Sequence, residues 1–449
     1  MGSVIYDFLN ASVLFDEGHL ENAFSAISDA DLRKELSRYC NHIESNLTQI
    51  REDATADQQQ FSIVGSREFF NLERLAQTAL YVDVVALPDP LLQYTKPSTQ
   101  VREEIGKYLG FPQTWDLDRE RIARAASFMR SLRGAVAANY VRFIPEEKDL
   151  HPPVDLPLTS SSDGYAHRVP EHLREFYLRN VIVRSIAHTG NIARLKPLVD
   201  GSSDIAIQFG STGETEFYSY SYAHMDVADI DENTGCANFT MRRPDEPLDQ
   251  ATFDGWLKQS IYQSAGENLA AISRLLHQAK SLNSSCVVTS PFTQALLGSS
   301  ARVQDIETFT GDCFLNLDLQ FFRNISLEKV LQVRQSDGGA FALFRTSLQG
   351  KLRELRLEQD QTKVQAKAQE AMHELAEVQV QQISRKVEGL KKGAFADGLI
   401  AVAGLVGSMA SPFSWAAVLA AGAHAYKKKN EYQSQIVENP SYFLWRAQK

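Results

Sequence analysis

From Gly393 to Tyr426 the chain reads GAFADGLIAVAGLVGSMASPFSWAAVLAAGAHAY, with one acid, Asp397, and one histidine, His424. Lys391 and Lys392 precede this run and Lys427, Lys428 and Lys429 follow it. No other stretch constrains the fold as strongly. A single span needs about 20 apolar residues to cross a hydrocarbon core roughly 30 Å thick. This run is longer than one span requires, and Ser411-Pro412 divides it into arms of about 17 and 13 residues, short for two full spans. Positive charge is retained on the cytoplasmic side of a membrane, so lysines at both ends favour a hairpin or re-entrant insertion that returns to its starting side.

On that reading the hairpin turn is Ser411 and Pro412. Leu399, Ile400, Val402, Leu405 and Val406 on the first arm, and Trp415, Val418 and Leu419 on the second, are the membrane-inserting side chains. Lys391, Lys392, Lys427, Lys428 and Lys429 meet lipid headgroups. Trp415 and Tyr426 fit interfacial depth, and Tyr442, Phe443 and Trp445 form a second aromatic group beyond the lysines. Gly398, Gly404, Gly407 and Gly422, with neighbouring alanines, let arms pack closely on each other or on further copies. The moderate apolarity suits reversible or triggered insertion. The alternative is an Ala/Gly-rich helical hairpin buried in a soluble domain.

The chain leading to this segment has no Gly or Pro between Lys351 and Glu388, which predicts roughly 57 Å of helix at 1.5 Å per residue. Phe341, Phe344, Leu348, Leu352 and Leu355 form one half of a narrow apolar stripe. After a polar gap, Val364, Ala368, Ala371 and Leu375, then Ile383, Val387 and Leu390, form the other. Such a stripe packs on a partner helix or in a short coiled coil, and its small residues favour packing within the same protein.

Charge is distributed to match. The formal net charge is −10, yet residues 351–449 carry +4 and residues 1–350 carry −14. An acidic body argues against nucleic acid as the main partner, whereas a mildly basic tail suits anionic lipid. Cys40, Cys236, Cys286 and Cys313 are scattered without a CxxC pair, and no basic stretch followed by an apolar one opens the chain. Both features predict free thiols in a reducing cytoplasm.

The rest of the chain reads as mainly α with a small antiparallel β meander, an α+β class. Residues 1–143 are expected to be helical. Asp29 and Asp31 start a helix bearing Leu32, Leu36, Tyr39, Ile43 and Leu47. A second runs through SREFFNLERLAQTALYVDVVAL to Pro88, a third spans Pro97 to Leu109, and a fourth spans Asp118 to Val141. Residues 144–170, rich in Pro, Ser and Asp, read as a linker or surface excursion. The α+β middle domain, 171–325, starts with a helix from Glu171 to Ala187. Strands follow at SDIAIQF, in the Tyr218, Tyr220, Tyr222 row and at CANFTMRR, then a helix from Gln250 to Ser281 and a short strand at Cys286–Thr289. Residues 326–392 are the long amphipathic helix, 393–426 the apolar hairpin and 427–449 a basic and aromatic tail.

Catalytic patterns are sparse. The chain has no GxxxxGK[ST] loop, Rossmann glycine fingerprint, HExxH or GxSxG. Asp229, Asp231 and Asn233 resemble alternate oxygen ligands, but the positions where a calcium loop needs Gly and Glu hold Thr234 and Thr240, so a polar hairpin turn is expected. His224 and Asp226 share a strand face without a nucleophile placed beside them. Arg119, Arg121, Arg124, Arg130 and Arg133 crowd one helix, either as a solvated face paired with acids or as an anion or partner site. Asp83 and Asp89 are expected to cap or terminate a helix, and the tyrosine row to pack on its sheet rather than stack on bases.

No catalytic residue, metal or cofactor is therefore expected. The long helix joined to a lysine-bracketed apolar hairpin resembles α-helical pore-forming and membrane-disrupting effectors, including those used in conflict with phage. The resemblance is architectural and covers about a quarter of the chain. It implies a cytoplasmic protein acting at the inner face of a membrane, with lipid and a protein partner or further copies of itself as partners. A soluble scaffold with the hairpin buried, and a hydrolase or metal enzyme in the middle domain, are the alternatives.

Overall fold

Ser28 opens the first long helix by accepting the Asp31 amide at 3.1 Å. The helix Asp29–Ser45 then turns Leu32, Leu36, Tyr39 and Ile43 into the interior, as their spacing demands. This is a computed structural model, and it describes residues 3–55, 57, 60–65, 69–95, 117–150, 165–189, 192–210, 217–231, 236–287, 290–298, 306–315, 326–358, 361–381, 383–384 and 437–448. The helix expected at Pro97–Leu109, and the whole of 393–426 with its flanking lysines, lie outside these residues. The described chain is mostly helical with a four-stranded antiparallel sheet. It divides into two compact units, one of residues 1–57, 86–133 and 142–302, the other of 58–85, 134–141 and 303–449.

Three strands interrupt the region expected to be helical: β1 (Ser62–Val64), β2 (Val84–Pro88) and β3 (Val141–Ile144). The helix expected to run to Pro88 is Leu72–Ala79, capped by the Asn71 side chain on the Glu73 and Arg74 amides. Beyond it, every residue of β2 is buried. A short apolar run rich in β-branched residues satisfies a strand covered on both faces as well as it does a helix, and periodicity alone does not separate the two. Hydrogen bonds from Val85 to Tyr140 (2.8 Å) and from Asp89 to Ile144 (2.9 Å) climb both chains in the same direction, so β2 and β3 are parallel.

In the first unit, the helix expected over Glu171–Ala187 stops at Arg179, and Val181–Thr189 is a strand, β4. Its Val, Ile and Thr side chains favour the pleated conformation. β4 pairs with β5 (Ile192–Pro197) and β6 (Asp204–Phe209), and β7 (Tyr218–Ser221) completes the antiparallel order β5-β4-β6-β7. Gly201 makes the turn into β6 with φ +76°, and a Cβ there would lie 2.7 Å from the Leu248 carbonyl oxygen. The helix Gln250–Ser281, capped by Asp249 on the Thr252 amide at 3.0 Å, contributes Phe253, Ile261, Tyr262 and Ala265 to a core shared with Tyr177, Ile205, Ile207, Phe209 and Phe292. The row Tyr218, Tyr220 and Tyr222 packs against this core, in agreement with sheet packing. β8 (His224–Asp231) and β9 (Cys236–Arg242) form a separate two-stranded hairpin.

In the second unit, the continuous helix expected after Lys351 is broken. One helix, Gly338–Leu352, ends in a 3₁₀ turn at Arg353–Leu357; the next begins at Gln361 and runs to His373. The two pack together, and Lys351 pairs with Glu374 at 2.6 Å. The break falls in the polar gap of the apolar stripe. Beyond Leu355 and Leu357 the sequence turns polar until Val364, and folding back there buries both halves of the stripe. Phe344, Leu348, Leu352, Val364, Ala368 and Leu375 are accordingly buried, and Met372 takes the inward place expected of Ala371.

Candidate functional site

The residues assigned to lipid, Leu399, Ile400, Val402, Leu405, Val406, Ser411, Pro412, Trp415, Val418, Leu419 and the five lysines, lie outside the described residues. The nearest described residues on either side, up to Ser384 and from Val437 onward, belong to the second unit. The outgoing side is the helical chain that carries Leu375, Ala376, Val380 and Ile383 into the core. The returning side is the helix Tyr442–Gln448, in which Tyr442, Phe443, Leu444, Trp445 and Ala447 are all buried.

Polar pairs join the two sides. The Trp445 Nε1–H donates to Ser384 Oγ at 3.0 Å, and the Ser441 hydroxyl donates to Gln379 Oε1, also at 3.0 Å. The Phe443 ring packs on Phe341 and Phe344 at centroid distances of 5.1 and 5.7 Å. Arg446 pairs with Asp337 at 3.2 Å. Asp337 meanwhile caps the helix Gly338–Leu352 through the Ala340 amide. The second aromatic group beyond the lysines is thus a core element of the second unit. Its clue in the sequence was spacing: Tyr442, Phe443, Leu444 and Trp445 leave no polar face over four residues, more than one interfacial side needs.

The candidates for chemistry are not brought together. His224 is half-buried and stands edge-on to Tyr222, with 5.3 Å between ring centroids. Asp226 is exposed and faces Arg242 at 3.6 Å. An open hollow of about 340 Å³ beside His224 is lined by Pro244, Asp245 and Asp249. The Asp249 carboxylate is committed to capping, and its hydrogen bonds from the Thr252 hydroxyl and amide hold its pKa below the usual range. Residues 232–235 of the expected polar turn lie outside the described set, and among the described residues no group of three His, Cys, Asp or Glu side chains is placed to hold a metal. Among the same residues no helix is long and apolar enough to cross a membrane.

The arginine-rich helix, Arg119–Ser131, uses its charges within the fold. Arg119 donates to Asp29 and to the Phe24 and Ile27 carbonyls, Arg130 pairs with Glu17 at 3.0 Å, and Arg121 pairs with Asp118. Arg133, just past that helix, lies over the Phe15 ring, 5.1 Å from its centroid.

Two carboxyl groups, Asp83 partly and Asp89 almost completely buried, bracket β2. In the first unit Asp89 is 2% exposed, accepts the Tyr39 hydroxyl and caps the Leu91 amide at 2.9 Å. Burial pushes its pKa up to about 6, the Tyr39 and backbone hydrogen bonds opposing the shift. In the second unit Asp83 accepts from Arg334, Arg345 and the Phe61 amide. Arg334 also donates to the Ala79 and Val82 carbonyls, closing the end of the helix Leu72–Ala79, and lies 4.3 Å from the Phe341 ring centroid. Both aspartates were expected to cap or terminate a helix; Asp89 does accept the Leu91 amide just before a 3₁₀ turn, Leu92–Tyr94, and both also bind distant side chains.

Comparison with protein-family models, with curated proteins and with solved structures returns no match to this chain.

Proposed function

We propose that this protein associates with the cytoplasmic face of a membrane and inserts its C-terminal apolar segment as a helical hairpin, turning at Ser411-Pro412, to disrupt or perforate the bilayer. A helical chain leading into a lysine-bracketed apolar run is a feature shared with α-helical pore-forming effectors, and a role in conflict with phage is proposed from that resemblance. The observation that carries the hairpin reading is the shared base of the segment. Its outgoing side at Gln379 and Ser384 is hydrogen-bonded to its returning side at Ser441 and Trp445. A chain whose two ends are tied on one body suits a loop that goes in and comes back better than a single through-going anchor.

Flotation with vesicles containing anionic lipid tests this. The comparison is between the full chain and a variant in which 393–426 is replaced by a Gly/Ser linker. Truncation at Lys392 would also remove Phe443 and Leu444, both fully buried, and so would confound lipid binding with unfolding. The full chain is expected to float and to release an entrapped dye, and the linker variant to do neither. Equal behaviour of the two overturns the proposal.

A second reading keeps the segment off lipid, packed on its own body or on a partner of a soluble scaffold. The segment's Ala- and Gly-rich arms support this reading, because Ala-rich helices also pack closely in the interior of a soluble domain. It predicts no dye release, and a Trp415 shielded from aqueous quenchers without any lipid.

A further inference from the structure

Resting on the membrane reading, we propose that the helix Tyr442–Gln448 is a buckle: it closes the base of the apolar segment and stays docked while that segment is in lipid. Its depth is the first argument. Ser441, Phe443 and Leu444 are 0% exposed and Ala447 is 2% exposed, so the whole short helix is part of the core of the second unit. Seven residues do not sustain a helix in water by themselves. Undocking would therefore melt it, and would strip Phe341 and Phe344 of the ring that packs on them.

The polar contacts are the second argument, because three of them come from the same short element and the residue before it. Ser441 and Trp445 hold the outgoing chain at Gln379 and Ser384, while Arg446 holds Asp337 in the turn between two core helices. Releasing the helix would leave Asp337 without its guanidinium and Gln379 and Ser384 without these partners. An insertion that draws the C-terminus through the bilayer must break all of these contacts together. An insertion that returns breaks none. The aromatic residues beyond the lysines thus act as a fastening on the protein side, and lipid contact is confined to the segment they enclose.

Hydrogen exchange read by mass spectrometry on the full chain, free and bound to anionic vesicles, tests the buckle. Flotation of the same samples reports separately on the membrane reading. With the buckle closed, amides of Tyr442–Gln448 exchange within about threefold of their rate in the free protein. Acceleration by about a hundredfold or more on vesicles that do float the protein overturns the buckle and leaves the membrane reading standing. Failure to float ends both. Trp445→Phe keeps a smaller aromatic ring in place of the indole and removes the donor to Ser384; it is expected to speed exchange in this helix about tenfold in the free protein. Unchanged exchange in that variant also overturns the buckle, since the outgoing chain would then not be fastened through Trp445.

Discussion

Asp83 and Asp89 stand at the two ends of one strand, the first partly and the second almost completely buried, and the protein treats them in opposite ways. In the second unit Asp83 sits between the guanidiniums of Arg334 and Arg345, whose side chains are 14 and 13% exposed and lie against the Phe341, Tyr81 and Phe61 rings. In the first unit Asp89 accepts the Tyr39 hydroxyl and backbone amides, and among the described residues no cation is paired with it. One carboxyl group compensates buried positive charge. The other is pushed towards its neutral form by burial. The same residue type, six positions along the chain, is an electrostatic tie in one unit and a pH-dependent hydrogen-bonding group in the other.

The sharpest way to break this comparison is Asp83→Ala. It removes the carboxylate that the largely shielded Arg334 and Arg345 share, and the expected loss is about 3–5 kcal/mol in the second unit, read from denaturant-dependent hydrogen exchange. A loss below about 1 kcal/mol would mean that water already solvates the arginines.

Next in size is the pH response of Asp89. Its pKa is raised from 3.8 unfolded to about 6 folded. The stability that goes with this group is therefore fully present below about pH 4 and is lost as the pH rises through about 6. The swing is on the order of 2–3 kcal/mol. Asp89→Asn is expected to flatten the melting temperature of the first unit between about pH 4 and pH 8. An unchanged slope would assign the response to other groups. Tyr39→Phe removes the one side-chain donor to Asp89 and is expected to cost about 1–2 kcal/mol at neutral pH, measured by thermal unfolding.

The smallest effect concerns the other tie in the second unit. If the chain between Ser384 and Val437 is a closed loop that leaves the body free, each halving of its length with a Gly/Ser linker raises stability by about 0.6 kcal/mol. A drop on shortening would favour the packed-tail reading, because the segment would then be supplying buried surface.

Several elements were legible because their signals are local. The helix Gln250–Ser281 has the bounds expected of it, set by Asp249 at its start and an unbroken helical pattern. The strand at β6 and the inward tyrosine row followed from alternation. β2 and β4 were missed for a shared reason: Val84-Val85 and Val181-Ile182-Val183 are apolar without a readable period. Such runs become strands only when neighbours cover them, β3 beside β2, and β5 and β6 beside β4. The bend after Leu352 was visible as a polar gap in the stripe, but the gap does not say that the two halves will pack on each other.

By itself the sequence determined the caps, the amphipathic faces and the lysine-bracketed apolar run, because each depends on residues within a few positions of one another. Only the tertiary structure decided which carboxyl group meets an arginine and which meets a phenol, and that the last aromatic helix lies inside the second unit. Those outcomes depend on partners more than 40 residues away in the chain, as for Asp83 with Arg334, Asp89 with Tyr39 and Trp445 with Ser384. Periodicity marks which side of an element must be covered, and the folded chain alone supplies what covers it.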